Sequence, residues 1–351
     1  MDLNNAFEFK QLDSANYLGH IHSLSNQLLH AWETGLQYPL NITETPRLVI
    51  ICGMGGSAIG GELAAAYARK VGCSPVIVLR EYDLPAWALN PDTLVVASSY
   101  SGNTEETLSA FHQAMDAGCK LVALTRGGEL ARLARQVGAP VWKIEHESQP
   151  RAAVANSFGL LMALFHRLGL IQNPQAEILK AVERMRAMQK QLDVESPLKE
   201  NPAKRQAGQM YGRMVCFIGS DLMAPVARRW AGQVNELAKA WAQFLELPEA
   251  DHNALTGTVF PAERLTDLAV VFLQSPGDHP RNILRSELTR ELFMMQGVNT
   301  DRYIAPGDGL LEQMWSAILF GDYVAYYLAM LYNVDPTPIP PIEQLKQAMK
   351  D

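Results

Sequence analysis

Between residues 48 and 144 short apolar runs alternate with longer amphipathic stretches, and this alternation constrains the fold more than any other feature. Runs at 48–52, 75–79, 93–97, 120–124 and 141–144 read as strands. A glycine-rich run, 53–61, leads into a helix that reaches about residue 70, and 104–117 and 129–137 also read as helices. Strands separated by helices of about ten residues or more cannot pair as hairpins; each must return by a crossover, giving a parallel, doubly wound sheet with helices on both faces. After residue 215 the order roughly repeats. A strand at 215–219 precedes a long helix at about 225–244, a strand at 268–273 and helices at 281–296 and 310–332. A helical lead-in covers residues 1–45, with Leu24, Leu28 and Trp32 on one face. Pro150 marks a boundary, so the expected domains are 1–150 and 151–351, both α/β. A last helix, 342–350, follows a turn carrying Pro336, Pro338, Pro340 and Pro341.

A chain of 351 residues is long enough for about two domains with a sizeable core each. Its net charge of −7 argues against nucleic acid or an anionic membrane as partner, although a local cup can still hold an anion. The N-terminus lacks a basic segment followed by an apolar one, and the apolar run 315–332 contains Gly321 and Asp322, which suits a buried helix better than a membrane span. Cys52, Cys73, Cys119 and Cys216 show no CxxC spacing and read as reduced core thiols of a cytoplasmic protein. The histidines, His20 and His22 included, share no metal-ligand spacing with one another or with cysteines, so neither metal nor cofactor is expected. Arg228, Arg229 and the charges around Arg264 read as solvated.

Two loops carry the functional signal. The run 94–107 passes from apolar residues into Ser98, Ser99, Tyr100, Ser101, Gly102, Asn103 and Thr104, with Thr104 as the expected N-cap of the next helix. Hydroxyls and free amides converging on a helix N-terminus form an anion cup, and a cup without Lys or Arg suits the phosphate of a small molecule. The plainer reading is a Ser/Thr-rich loop that only caps its helix. The second loop, Gly53-Met54-Gly55-Gly56-Ser57-Ala58, satisfies the loose dinucleotide fingerprint, and Glu81 could take the acidic ribose role. An NAD(P) oxidoreductase is therefore a competitor. Ala58 at the third fingerprint position and the separate hydroxyl cup weigh against it.

Together the loops resemble the sugar isomerase (SIS) domain superfamily, whose phosphosugar signature is matched by Gly55, Gly56, Ser57 and by Ser99, Ser101, Gly102, Thr104. Pro150-Arg151-Ala152-Ala153, Asn235 through Lys239, Asp251-His252-Asn253 and the tail from Asp335 to Lys346 look like the bifunctional phosphoglucose/phosphomannose isomerase family. The resemblance runs from about Arg47 to the end. It implies two SIS-type domains with flanking helices, a cytoplasmic homodimer, an active site at the junction of domains and subunits, and metal-free aldose–ketose isomerisation of a phosphosugar. Carried over, Gly56, Ser57, Ser99, Ser101 and Thr104 hold phosphate. Glu236 is the base and His252 opens the ring, with Arg151 and Lys346 alongside. The family carries a Thr or Gln shortly before the terminal Lys that helps admit mannose epimers; here only Thr337 stands nearby.

The residue types suit that chemistry. One carboxylate on one face of a cis-enediolate can move the proton both ways between C1 and C2. Trp230, Val234, Leu237 and Trp241 around Glu236 would lift its pKa toward neutrality. The plain alternative is a surface Glu paired with Lys239. His252 can donate to a ring oxygen and accept from an anomeric hydroxyl near neutral pH, or simply be a solvated loop residue. Arg151 opens a helix against its dipole, which favours an anion or enediolate nearby over a bare surface cation. Lys346 shares a helix face with Lys350, and the plain reading there is a solvated tail. A phosphosugar-binding SIS module without catalysis is the remaining rival.

Overall fold

The protein is described here by a computed structural model covering residues 2–349. In chain order the helices are α1 (Ala6–Leu12), α2 (Tyr17–His22), α3 (Leu24–Gln37), α4 (Gly55–Val71), α5 (Glu105–Asp116), α6 (Gly128–Gln136), α7 (Val154–Arg167), α8 (Gln175–Leu192), α9 (Pro202–Met210), α10 (Met223–Ala238), α11 (Pro280–Met295), α12 (Leu310–Leu331) and α13 (Pro340–Ala348). The strands are β1 (Leu48–Cys52), β2 (Val76–Leu79), β3 (Thr93–Ser98), β4 (Lys120–Thr125), β5 (Val141–Lys143), β6 (Met214–Gly219), β7 (Ala242–Glu246), β8 (Leu268–Gln274) and β9 (Asn299–Ile304).

They form two parallel sheets, β2-β1-β3-β4-β5 and β7-β6-β8-β9. In each, the first strand lies between the second and the third. The chain winds one way and then reverses, leaving a crevice at the carboxyl ends of the first and third strands, where open α/β sheets bind ligands. The central strands β1, β3 and β8 are buried almost throughout, which explains their unbroken apolar runs.

The chain forms two compact units that do not divide at residue 150. The five-stranded unit comprises Ser23–Arg186 and Gly307–Trp315; the four-stranded unit takes the chain up to His22, Ala187–Pro306 and the chain from Ser316 onward. The lead-in is split because Phe9 packs on Tyr326 and Tyr327, and the Tyr17 hydroxyl accepts from the Gln233 amide, inside the four-stranded unit. Helix α7 stays with the five-stranded unit because it packs against α3 and α4. Helix α12 is long and apolar enough to cross a membrane, but 94% of that stretch is buried inside the protein.

Two strands escape the sequence reading. The helix expected to reach residue 244 stops at Ala238, where Lys239 turns left-handed (φ 53°), and β7 follows. The Asn235 side chain holds that turn: its amide donates to the Ala242 carbonyl and its oxygen accepts from the Ala242 amide, both at 2.9 Å. The other is the edge strand β9, whose Asn-Thr-Asp-Arg start lacks an apolar run.

Candidate active site

The crevice of the five-stranded unit lies where β1 and β3 end. Gly56, in the first turn of α4, leaves no room for a side chain: a Cβ there would sit 2.6 Å from the Pro150 carbonyl and 2.7 Å from the Arg151 nitrogen. Glycine thus lets the α4 N-terminus close on the turn that carries Arg151. At the end of β3, Gly102 has a positive φ of 73°, and a Cβ would collide with the Gly127 carbonyl. This fixes the bend that brings Thr104 back toward Ser99.

The hydroxyls are committed in a pattern that leaves donors over. Ser57 Oγ accepts from the Tyr100 amide at 3.1 Å, Ser101 Oγ from the Asn103 amide at 3.2 Å, and Ser99 Oγ from the Gly102 amide at 3.1 Å. Ser99 Oγ and Thr104 Oγ1 share one hydrogen bond at 2.8 Å, so only one of their two protons is used. A hydroxyl has a single proton and two acceptor sites. Ser57, Ser101 and one of the Ser99–Thr104 pair therefore retain protons to donate. Thr104 occupies the N-cap position of α5 as expected, but its hydroxyl turns to Ser99 and makes no cap bond. Capping alone does not account for the loop. Glu105 and Glu106 complement the dipole at the start of α5, so attraction for an anion must come from the hydroxyls and the α4 N-terminus.

Arg151, in the short 3₁₀ turn Pro150–Ala153 before α7, is 2% exposed, which excludes the surface-cation reading. Gly56, Ser57, Ser99, Ser101, Thr104 and Arg151 all belong to this unit.

Glu236, His252 and Lys346 belong to the other. Glu236 is half-buried on α10. Lys239 Nζ donates to the carbonyls of Glu236, Leu237 and Asp335, at 2.9, 3.1 and 2.7 Å, and so caps the end of α10. One and two turns before Glu236 lie Gln233 and Arg229, both buried. Arg229 makes a two-pronged ion pair with Asp322 of α12, Nη2 to Oδ2 at 2.7 Å and Nε to Oδ1 at 3.2 Å. Burial works against the guanidinium's charge, but the Asp322 carboxylate outweighs it and, with weaker help from Tyr17 and Glu236, holds Arg229 more firmly protonated. Arg229 is thus no solvated residue, and the lone Asp322 in an apolar run was its signal. Arg228 lies 4.1 Å over the Phe244 ring and pairs with Glu246 at 3.5 Å. Trp230 is buried, donating to the Ala317 carbonyl over Gly321, where a side chain would strike the indole. Trp241, expected beside Glu236, is 66% exposed because the helix ends before it.

His252 is exposed at the end of the 3₁₀ turn Glu249–His252 beyond β7. Its neighbour Asp251 anchors the turn to α11, accepting from Arg285 Nη1 at 3.0 Å and Thr289 Oγ1 at 2.7 Å. Asp251 carried no sequence signal beyond its place beside His252. Lys346 is exposed on α13, which buries none of its residues, and Lys350 lies outside the described residues. Thr337 is half-buried in the turn before α13. Among the described residues no three His, Cys, Asp or Glu side chains converge as a metal site.

A doubly wound parallel pair with a glycine loop and a hydroxyl cup at one switch point defines the class, a two-sheet SIS-type fold. A hypothetical protein from Thermus thermophilus has this fold, with a TM-score of 0.75 over 99% of this chain and 93% of its own at 17% identity. Residues 199–349 match the description of a bacterial phospho-glucose isomerase C-terminal SIS domain. The bifunctional phosphoglucose/phosphomannose isomerase of Caldicellulosiruptor bescii is 39% identical over 335 residues, covering 94% of this chain and 98% of that protein. Its counterpart from Aquifex aeolicus is 32% identical over 86% of this chain and 90% of its own length. The chain belongs to the bifunctional phosphoglucose/phosphomannose isomerase family.

Membership removes the oxidoreductase and the non-catalytic module as readings. The strand order agrees: β1 sits between β2 and β3, whereas the dinucleotide fold has order 3-2-1-4-5-6.

Proposed function

We propose that this protein is a cytoplasmic, homodimeric aldose–ketose isomerase of carbohydrate metabolism in the glycolytic and gluconeogenic direction. It interconverts glucose 6-phosphate with fructose 6-phosphate and takes mannose 6-phosphate as a second aldose. The single observation that carries the reading is the hydroxyl cup, where Ser57, Ser101 and one of the Ser99–Thr104 pair retain protons while accepting from the amides of Tyr100, Asn103 and Gly102. A phosphate monoester is an all-acceptor ligand that such donors fit.

In the proposed reaction Gly56, Ser57, Ser99, Ser101 and Thr104 hold the phosphate. His252 donates to the ring oxygen and accepts from the anomeric hydroxyl, opening the hemiacetal. Glu236 takes the proton from C2 of the aldose and returns it to C1 on the same face of a cis-enediolate, and the reverse path uses the same carboxylate. The buried guanidinium of Arg151 stabilises the developing enediolate charge, with Lys346 as a second cation.

Incubating the enzyme with fructose 6-phosphate in deuterated water, without nucleotide, is expected to give glucose 6-phosphate labelled at C2, and mannose 6-phosphate in a parallel assay. Absence of interconversion, or dependence on NAD(P), overturns the reading.

A further inference from the structure

Tyr100 stands inside the hydroxyl loop, between Ser99 and Ser101, yet its side chain is buried and its hydroxyl reaches a distant stretch of chain. The Oη donates to the His146 carbonyl at 2.9 Å and accepts from the Ser148 amide at 2.7 Å. Its one proton is thus spent on main chain, and so is an acceptor site. The Arg126 guanidinium lies 5.6 Å from the ring centroid, with Nη1 3.4 Å from the same hydroxyl, and pairs with Glu147. Residues 145–149 belong to neither helix nor strand. Such a stretch has no ladder to fix its place, so side chains that serve its main-chain groups decide where it runs.

That stretch leads directly into the buried cation. Ser148 precedes Arg151 by three residues, and Arg151 sits in the turn Pro150–Ala153. From the other side the turn is closed by Gly56, where a Cβ would come within 2.6 Å of the Pro150 carbonyl. The backbone of Tyr100, meanwhile, is part of the cup. Its amide donates to Ser57 Oγ at 3.1 Å, and its carbonyl accepts from the Arg126 amide at 3.1 Å. One residue is therefore bonded at its main chain to the phosphate loop and at its side-chain tip to the run into Arg151. A phenyl ring would fill the same space; what the hydroxyl adds is the pair of main-chain bonds. A misplacement of about 1 Å in a group that steadies developing charge costs on the order of a hundredfold in rate, so bonds that fix this turn bear on turnover.

We propose that Tyr100 is a positioning residue for the isomerisation, its hydroxyl fixing the Arg151 guanidinium relative to the phosphate cup. This role presupposes the isomerase reading above, and Tyr100 itself touches no substrate. Phosphate and enediolate are the two ends of one substrate, and a single side chain sets the spacing between the groups that meet them. A phosphate seated in the cup stills the Tyr100 backbone through Ser57, and the hydroxyl passes that restraint on to residues 146 and 148.

Tyr100→Phe tests it, with fructose 6-phosphate as substrate and inorganic phosphate as a competing ligand. Turnover is expected to fall about tenfold while KM and the inhibition constant of phosphate stay within about twofold, because the cup keeps its hydroxyls and only the Arg151 turn loosens. In an Arg151→Met background the same change should cost less than about twofold, since there is no guanidinium left to place. A hydroxyl that merely stabilises the fold would lower turnover by one factor in both backgrounds, or lower only the unfolding temperature. Amide hydrogen exchange on the unaltered protein supplies a measurement that needs no variant to fold. Saturating phosphate should slow exchange at Ser148 by about fivefold or more. An active parent overturns the inference alone if Tyr100→Phe keeps its turnover, if the loss is the same without Arg151, or if phosphate leaves Ser148 exchange unchanged. A parent that does not interconvert phosphosugars overturns the isomerase reading, and Tyr100's role with it.

Discussion

The two sheets repeat one strand order, yet their crevices carry opposite chemistry. Between β1 and β3 the loops offer glycine backbone and hydroxyls with protons to give. Between β6 and β8 the corresponding loops carry Asp221 and Asp278. Asp221, held at a positive φ of 47°, accepts from the His279 amide at 2.8 Å and the Asn282 side chain at 3.2 Å, so its carboxylate sits at the N-terminus of α11. Asp278 accepts from the Ser275 amide at 2.9 Å. The second crevice is therefore supplied with its own anion where the first is open to one from outside. A doubly wound frame provides the helix N-terminus twice; the side chains at its edge decide whether that field serves a ligand or the protein. In the proposed reaction the phosphate is assigned to the five-stranded unit and the proton transfers to Glu236 and His252 of the four-stranded unit.

Variants in the two units should then damage different parameters. The largest effect is expected from Glu236→Gln, which keeps the size of the side chain but cannot accept a carbon-bound proton. Turnover should fall about 10³-fold or more while phosphosugar affinity stays within about threefold. Steady-state rates together with a direct titration would show it. Equal loss of both would break the division of labour.

Arg229→Met should cost about 3–5 kcal/mol in urea unfolding, because it strands the Asp322 carboxylate in the core. Adding Asp322→Leu should recover most of that loss. If the single variant is as stable as the parent, the ion pair beneath α10 does not hold the helix that carries Glu236.

Ser101→Ala with Thr104→Ala should weaken phosphosugar binding by about 2–4 kcal/mol, at about 1–2 kcal/mol for each hydrogen bond to a charged group. Unphosphorylated sugars should be nearly unaffected. A uniform loss for both classes would mean the hydroxyls shape the loop without touching phosphate.

The smallest effect is expected from Asp221→Ala. Thermal unfolding should register about 1 kcal/mol for the lost bonds at the start of α11, with phosphosugar affinity unchanged. A change in affinity would show that the second crevice is not independent of the ligand.

Much of this was legible in the sequence because period and chemistry agreed. The buried strands of the first sheet announced themselves as unbroken apolar runs, and the cup as hydroxyls clustered where a strand meets a helix. What was hidden depended on partners distant in sequence. Strand β7 was absorbed into α10 because nothing local says that the Asn235 side chain will take both hydrogen bonds of Ala242. Strand β9 lies at a sheet edge, where one flank faces solvent and the apolar signal fades. Arg229 looked solvated because its partner, Asp322, is 93 residues away. The division at Pro150 failed for the same reason: the α4 loop is built to pack on the backbone that follows that proline.

The most direct test of the central claim is a calorimetric titration of fructose 6-phosphate into the parent protein and into Ser101→Asp. Ser101 is exposed, so the substitution places a carboxylate in the first crevice, as Asp221 does in the second, without disturbing the core. The parent should bind one equivalent per chain, and Ser101→Asp should bind about 100-fold more weakly or not at all, because a like charge now faces the phosphate. Binding by Ser101→Asp at the parent's affinity, or two equivalents per parent chain, would contradict the assignment of phosphate to the crevice between β1 and β3.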